Sequence, residues 1–83
     1  MAVVTLRCFA SAREAAGASV DSFEASTVDA VLVAAAARYG THWAAVLATA
    51  RVWVNGDEPQ AGLETVLHDG DEVAVLPPVS GGA

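Results

Sequence analysis

The chain has 83 residues, 54% of them hydrophobic and 17% charged, which bounds it to one small folded domain with a single core and no room for a deep cleft. A net charge of −6, with four arginines and no lysine, argues against a nucleic-acid partner, because phosphate-tracking surfaces draw their affinity from Lys and Arg contacts. The single cysteine, Cys8, allows no internal disulfide and no zinc or iron–sulfur site, and the longest apolar run, residues 30–37, is far below the roughly 20 residues that span a bilayer, so the expected setting is cytoplasmic, with no membrane contact.

In chain order, residues 3–9 alternate, with Val4, Leu6 and Cys8 on one face, and predict a half-buried strand rather than a signal peptide. "SAREAAG", ended by Gly17, predicts a short helical turn, and residues 20–25 predict a second strand in a loose hairpin with the first. Ser26 or Thr27 can cap the main helix, over 27–39, where Val28, Val31, Leu32, Ala35 and Tyr39 recur at helical spacing, with Asp29 in its first turn and Arg38 and Gly40 at its end. "THWAAVLATA" predicts a further short helix with Trp43, Val46 and Leu47 on one side. Residues 51–55 predict a third strand, Val52 and Val54 inward and Trp53 outward, stopped by the tight-turn pair Asn55-Gly56. "DEPQAG" suits a short edge strand or a loop, and residues 72–76 predict the last strand, Val73 and Val75 inward, Ala74 and Leu76 outward, ended by Pro77 and Pro78. The order β, β, α, β, short β, β predicts an α+β fold, a mixed sheet with one main helix packed on one face, made by residues 1–78.

Residues 79–83 predict a flexible C-terminal tail. Its side chains shrink to Val79, Ser80, Gly81 and Gly82, none of which can anchor a core, and a frayed end is one reading. The Pro-Pro pair favours another: it stiffens the exit, and a Gly-Gly end without Cβ atoms can thread a narrow channel toward another protein's catalytic site. Phe9, Trp53 and Leu76 fall on the outward face and predict one exposed apolar patch for partner binding.

The chain resembles the MoaD family, the small, sulfur-carrier subunit of molybdopterin synthase, a ubiquitin-like β-grasp protein. The resemblance rests on "LRCFASAREAAG" at 6–17, "VNG" at 54–56 and above all "LHDGDEVAVLPPVSGG" at 67–82. It implies that an ATP-dependent, MoeB-like activating enzyme adenylates the C-terminal glycine, here Gly82, and that a sulfur donor then displaces AMP to leave a thiocarboxylate. It further implies that Val79, Ser80 and Gly81 thread into the large synthase subunit, where the sulfur passes to cyclic pyranopterin monophosphate. The chain itself binds no cofactor in that scheme and is the non-catalytic donor subunit; ATP is used by the activating enzyme. A carboxylate charged with AMP needs no nucleophilic side chain on the carrier, so His42 and His68 are read as ordinary histidines; Cys8 falls on the predicted core face, Asp69, Asp71 and Glu72 could pair with arginines of a partner although the DGD turn alone accounts for the two aspartates, and Arg13 and Glu14 are read as surface residues.

Ala83 departs from the family pattern, which ends at the second glycine. One extra residue displaces the carboxylate by up to about 3.6 Å, so activation at Gly82 requires that Ala83 be absent. It is removed by a peptidase, or is extraneous to the natural chain, or marks a copy without carrier activity. Two other functions remain open: a ThiS-like carrier for thiazole or cysteine synthesis, and a non-reactive ubiquitin-like binding module. A plant-type ferredoxin would need four cysteines.

Overall fold

The computed structural model describes residues 1–78. The alternation near the N-terminus becomes β1 (Ala2–Cys8), with Val4, Leu6 and Cys8 buried and Val3 and Arg7 exposed. α1 (Ala10–Ala16) follows at once with Phe9 as its N-cap, so the strand ends one residue earlier than the alternation predicts. The helix stops at Gly17, whose φ of 74° lies in the left-handed region that a residue without Cβ enters at little cost. β2 (Val20–Ala25) returns antiparallel to β1 and buries Phe23 and Ala25.

α2 (Val28–Tyr39) is the main helix. Of its two candidate caps it uses Thr27, whose Oγ1 accepts from the Ala30 N–H at 3.1 Å. Val28, Val31, Leu32 and Ala35 are buried along one stripe. α3 (Thr41–Leu47) drives Trp43 fully into the core. β3 (Arg51–Val54) then leads into Asn55 (φ 53°) and Gly56 (φ 86°), a tight turn closed by the Val54 N–H to the Asp57 carbonyl at 2.7 Å and by the Asp57 N–H back to Val54 at 3.0 Å. β4 (Glu72–Leu76) is the last strand and buries Val73 and Val75.

The sheet order is β2-β1-β4-β3, with β1 and β4 parallel and the other pairs antiparallel, so the sheet is mixed as expected. One expectation needs correction. The short strand after β3 does not form: only Asp57 bridges to Val54, Pro59 follows with no N–H to continue a ladder, and Gly62–Glu64 makes a 3-10 turn instead. The two short helical segments expected beside the main helix do form, and Ala12 of α1 and Trp43 of α3 join α2 in a single core with Val4, Leu6, Val73 and Val75. No helix of the described residues is long and apolar enough to cross a membrane.

Candidate functional site

All three helices cover one face of the sheet, which leaves the other face bare. Its character follows from the register. Trp53 stands opposite Ala74, Ala74 opposite Arg7, and Arg7 opposite Val20, so one row crosses all four strands. In the next row toward the end of β4, Leu76 stands opposite Arg51. Phe9 flanks β4 from the other side: Cys8 pairs with Val75, and the Phe9 N–H donates to the Val75 carbonyl at 3.2 Å.

Trp53 and Leu76 line one shallow hollow of ≈ 470 Å³ together with Thr49, Arg51, Pro77 and Pro78. Phe9 is outside that hollow, although the residue is 44% exposed. The three predicted patch residues therefore share the tail-proximal end of the sheet, with two in one hollow and the third across β4. Arg51 could have been found from sequence, since the alternation that turns Trp53 outward turns Arg51 outward too. Thr49 carried no such signal, and the two prolines were legible as a strand stop and a stiff exit but not as lining of a hollow.

Away from the tail the face is mixed, with Val3 and Val20 exposed among polar side chains. Arg7 pairs with Glu72, and Ser22 and Glu24 are exposed on β2. Arg51 Nη1 lies 3.7 Å from Glu58 Oε1, a loose, exposed pair that leaves the guanidinium accessible to a partner.

The acidic turn before β4 is structural. Asp69 Oδ1 accepts from the Val3 N–H at 2.8 Å, and Asp71 accepts from Asn55 Nδ2 at 3.0 Å and from the His68 N–H at 2.8 Å. The Asn55 hydrogen bond, followed by that from His68, holds the Asp71 carboxyl below its usual value. Cys8 is buried and its thiol is pushed up by desolvation, the opposite of what a sulfur nucleophile needs. His42 and His68 are exposed. Val79, Ser80, Gly81 and Gly82 lie outside the described residues.

The sequence profile of the ThiS family matches residues 6–82, nearly the whole chain and the Gly-Gly pair with it. The chain belongs to the ThiS family. Its members are ubiquitin-like sulfur carriers with the β-grasp fold, and solved structures agree with that fold. The small archaeal modifier protein 1 of Methanosarcina acetivorans is 32% identical, with a TM-score of 0.87 over 99% of this chain and 98% of that one. The CysO-type chain of the Amycolatopsis orientalis BexX/CysO complex is 25% identical, with a TM-score of 0.79 over 95% and 99%. A Pyrococcus furiosus protein provisionally named molybdopterin converting factor, subunit 1, is 24% identical, with a TM-score of 0.82 over 95% and 100%, a likeness of fold. No curated protein matches the chain.

Proposed function

We propose that this ThiS-family chain is the sulfur-carrier subunit of a molybdopterin synthase. The observation that carries the reading is the family match running through Gly82, in a chain whose last strand exits through Pro77 and Pro78 beside an apolar hollow. In this reading a MoeB-like activating enzyme presents the ATP α-phosphate to the Gly82 carboxylate; a C–O–P linkage forms and pyrophosphate leaves. A sulfur donor then attacks the acyl carbon, AMP departs, and a thiocarboxylate remains. The hollow around Trp53 and Leu76, with Phe9 beyond it, docks first the activating enzyme and then the large subunit, while Val79 to Gly82 reach the partner's active site. The carrier supplies no acid or base, which suits a surface whose acidic side chains at the β4 turn are already engaged in hydrogen bonds.

A second reading keeps the carrier chemistry and changes the acceptor. The likeness to the CysO-type chain supports delivery to an enzyme outside molybdopterin synthesis. The test is intact mass of the chain ending at Gly82 after incubation with an activating enzyme, ATP and sulfide, followed by transfer to cyclic pyranopterin monophosphate with the large subunit. Replacement of one oxygen by sulfur with pterin turnover supports the first reading; the same mass change with turnover only on a cysteine or thiazole precursor supports the second. No mass change removes both.

A further inference from the structure

The edges of the sheet are treated differently, and the difference points to a second binding surface. On β2 the middle of the edge is closed by side chains: the Ser22 N–H donates to Asp21 Oδ1 at 2.8 Å, and its carbonyl accepts from Arg38 Nη1 at 3.2 Å. Such capping is how exposed edges are kept from pairing with other chains. On β3 the edge is closed only at one position. The Val54 N–H turns away from β4 to reach the Asp57 carbonyl, whereas the Asn55 N–H donates to the Glu72 carbonyl on β4. Backbone groups of an antiparallel ladder alternate in direction, so Val52, two residues before Val54, also turns its N–H and C=O away from β4. The following loop stops pairing at Pro59, which has no N–H, and leaves Val52 without a ladder partner on that side.

Directly inside this edge lies an apolar groove of ≈ 370 Å³ between α2, α3, β3 and the 3-10 turn. Leu32, Val33 and Ala36 of α2, Leu47 of α3, Val52 of β3 and Leu63 of the 3-10 turn line it. Val33 is 62% and Leu63 53% exposed, so apolar surface here is left in water. The single charged group in the lining is the Asp29 carboxylate, which has no ion-pair partner among the described residues. The neighbouring Glu64 and the net charge of −6 add to the same sign.

We propose that the β3 edge and this groove bind an extended, apolar segment of a partner protein that carries a basic side chain. The segment pairs with Val52 through its backbone, sets alternate apolar side chains into the groove, and meets Asp29 with a lysine or arginine. An open backbone pair beside an apolar groove is what strand addition requires, the backbone giving affinity and the groove selecting side chains. The surface is separate from the Trp53 hollow: Val52 and Trp53 point to opposite sides of the sheet, so both can be occupied at once.

The probe is an acetylated and amidated heptapeptide of alternating threonine and valine closed by one lysine, titrated into the isotope-labelled chain and followed by backbone amide shifts. Saturable shifts centred on Val52, Ala50 and Leu63 are expected, and they persist in the Trp53→Glu chain. N-methylation of the central valine weakens binding at least about tenfold, because the ladder bonds are lost, and replacing the lysine by glutamate weakens it about fivefold. Val33→Glu, at an exposed position, keeps the chain folded and abolishes binding. Shifts centred on Trp53 and Leu76, binding indifferent to N-methylation, or no saturable shift would each overturn the proposal. So would a concentration-dependent shift of Val52 without peptide, which would make a second copy of this chain the occupant.

Discussion

The two tryptophans of this chain have opposite fates, and each can be argued from its neighbours. Trp43 is fully buried and packs against Tyr39 with ring centroids 5.5 Å apart; its indole N–H meets no oxygen or nitrogen acceptor and has only the weak Cys8 sulfur beside it. Trp53 is 36% exposed in the hollow at the tail exit. Trp43→Ala should therefore destabilise the domain by about 3–5 kcal/mol, enough to unfold much of a chain this small, while Trp53→Ala changes stability by less than about 1 kcal/mol. Urea denaturation of the two variants checks the contrast; equal losses would mean that Trp53 belongs to the core. Trp53→Glu should weaken binding to the large subunit or the activating enzyme by more than about 1.5 kcal/mol, since it places a charge in an apolar contact. Titration calorimetry with the folded variant reads this directly, and unchanged affinity would move docking off this face. Trp53 was legible in sequence from strand alternation, whereas helical spacing put Trp43 on one side with Val46 and Leu47 without telling which side the core takes. The positive φ of 49° at Ala10 was not legible, because alanine carries no signal of a left-handed backbone.

At the scale of elements, α2 is fixed by two local devices and one long-range one. Its period and Thr27 cap lie within the segment and could be read there. What joins its C-terminal end to β2 could not: Tyr39 donates to Asp21 Oδ2 at 2.6 Å, Arg38 Nη1 lies 2.9 Å from the same oxygen, and the Arg38 guanidinium sits 4.0 Å over the Phe23 ring. The missing short strand was hidden for a similar reason, since the segment before β4 is held by Val66 bridging to Thr27, a partner far away in sequence. The Asp21 junction predicts a pH dependence. The Tyr39 hydrogen bond first, then Arg38 and the Ser22 N–H, hold the Asp21 carboxyl below its usual value. A carboxyl with a lower value folded than unfolded stabilises fully above the unfolded value, about 3.9, and the benefit disappears as pH falls through the folded one. The stability gap between the natural chain and Asp21→Asn should thus be widest near neutral pH and close on acidification; a gap constant with pH would rule the linkage out. Tyr39 has the opposite sign, as burial and then the Asp21 bond raise it, so its contribution holds below an unfolded value of about 10 and is lost in strong alkali.

For the whole molecule, the proposed carrier role assigns docking to the sheet face and chemistry to the tail. The helices consume one face for stability, and the bare face gathers Trp53, Leu76 and Phe9 where β4 leaves the domain. The exit itself was legible, because two prolines before a Gly-Gly pair form a local motif; the hollow beside it was not, because it depends on the register that sets Leu76 opposite Arg51. If the domain docks and the tail threads, the two properties must respond to different substitutions. Gly81→Val, in a chain ending at Gly82, adds a β-branched side chain that widens the tail and restricts its backbone, while every residue that lines the hollow stays unchanged. Affinity for the large subunit should fall only by the share contributed by the tail, while conversion of cyclic pyranopterin monophosphate, started from pre-formed thiocarboxylate, should fall below detection. A non-reactive binding module would tolerate the valine without any change. Supplying the thiocarboxylate in advance keeps the activating enzyme out of the measurement, so a loss is assigned to transfer and not to charging. The same chains compared with and without Ala83 place the reacting carbonyl: adenylation of the 82-residue form alone is the expected result, and equal adenylation of both would show that the activating enzyme accepts a longer reach than a Gly-Gly end provides. Full turnover with the valine variant would mean that the tail meets its acceptor in an open site rather than a channel.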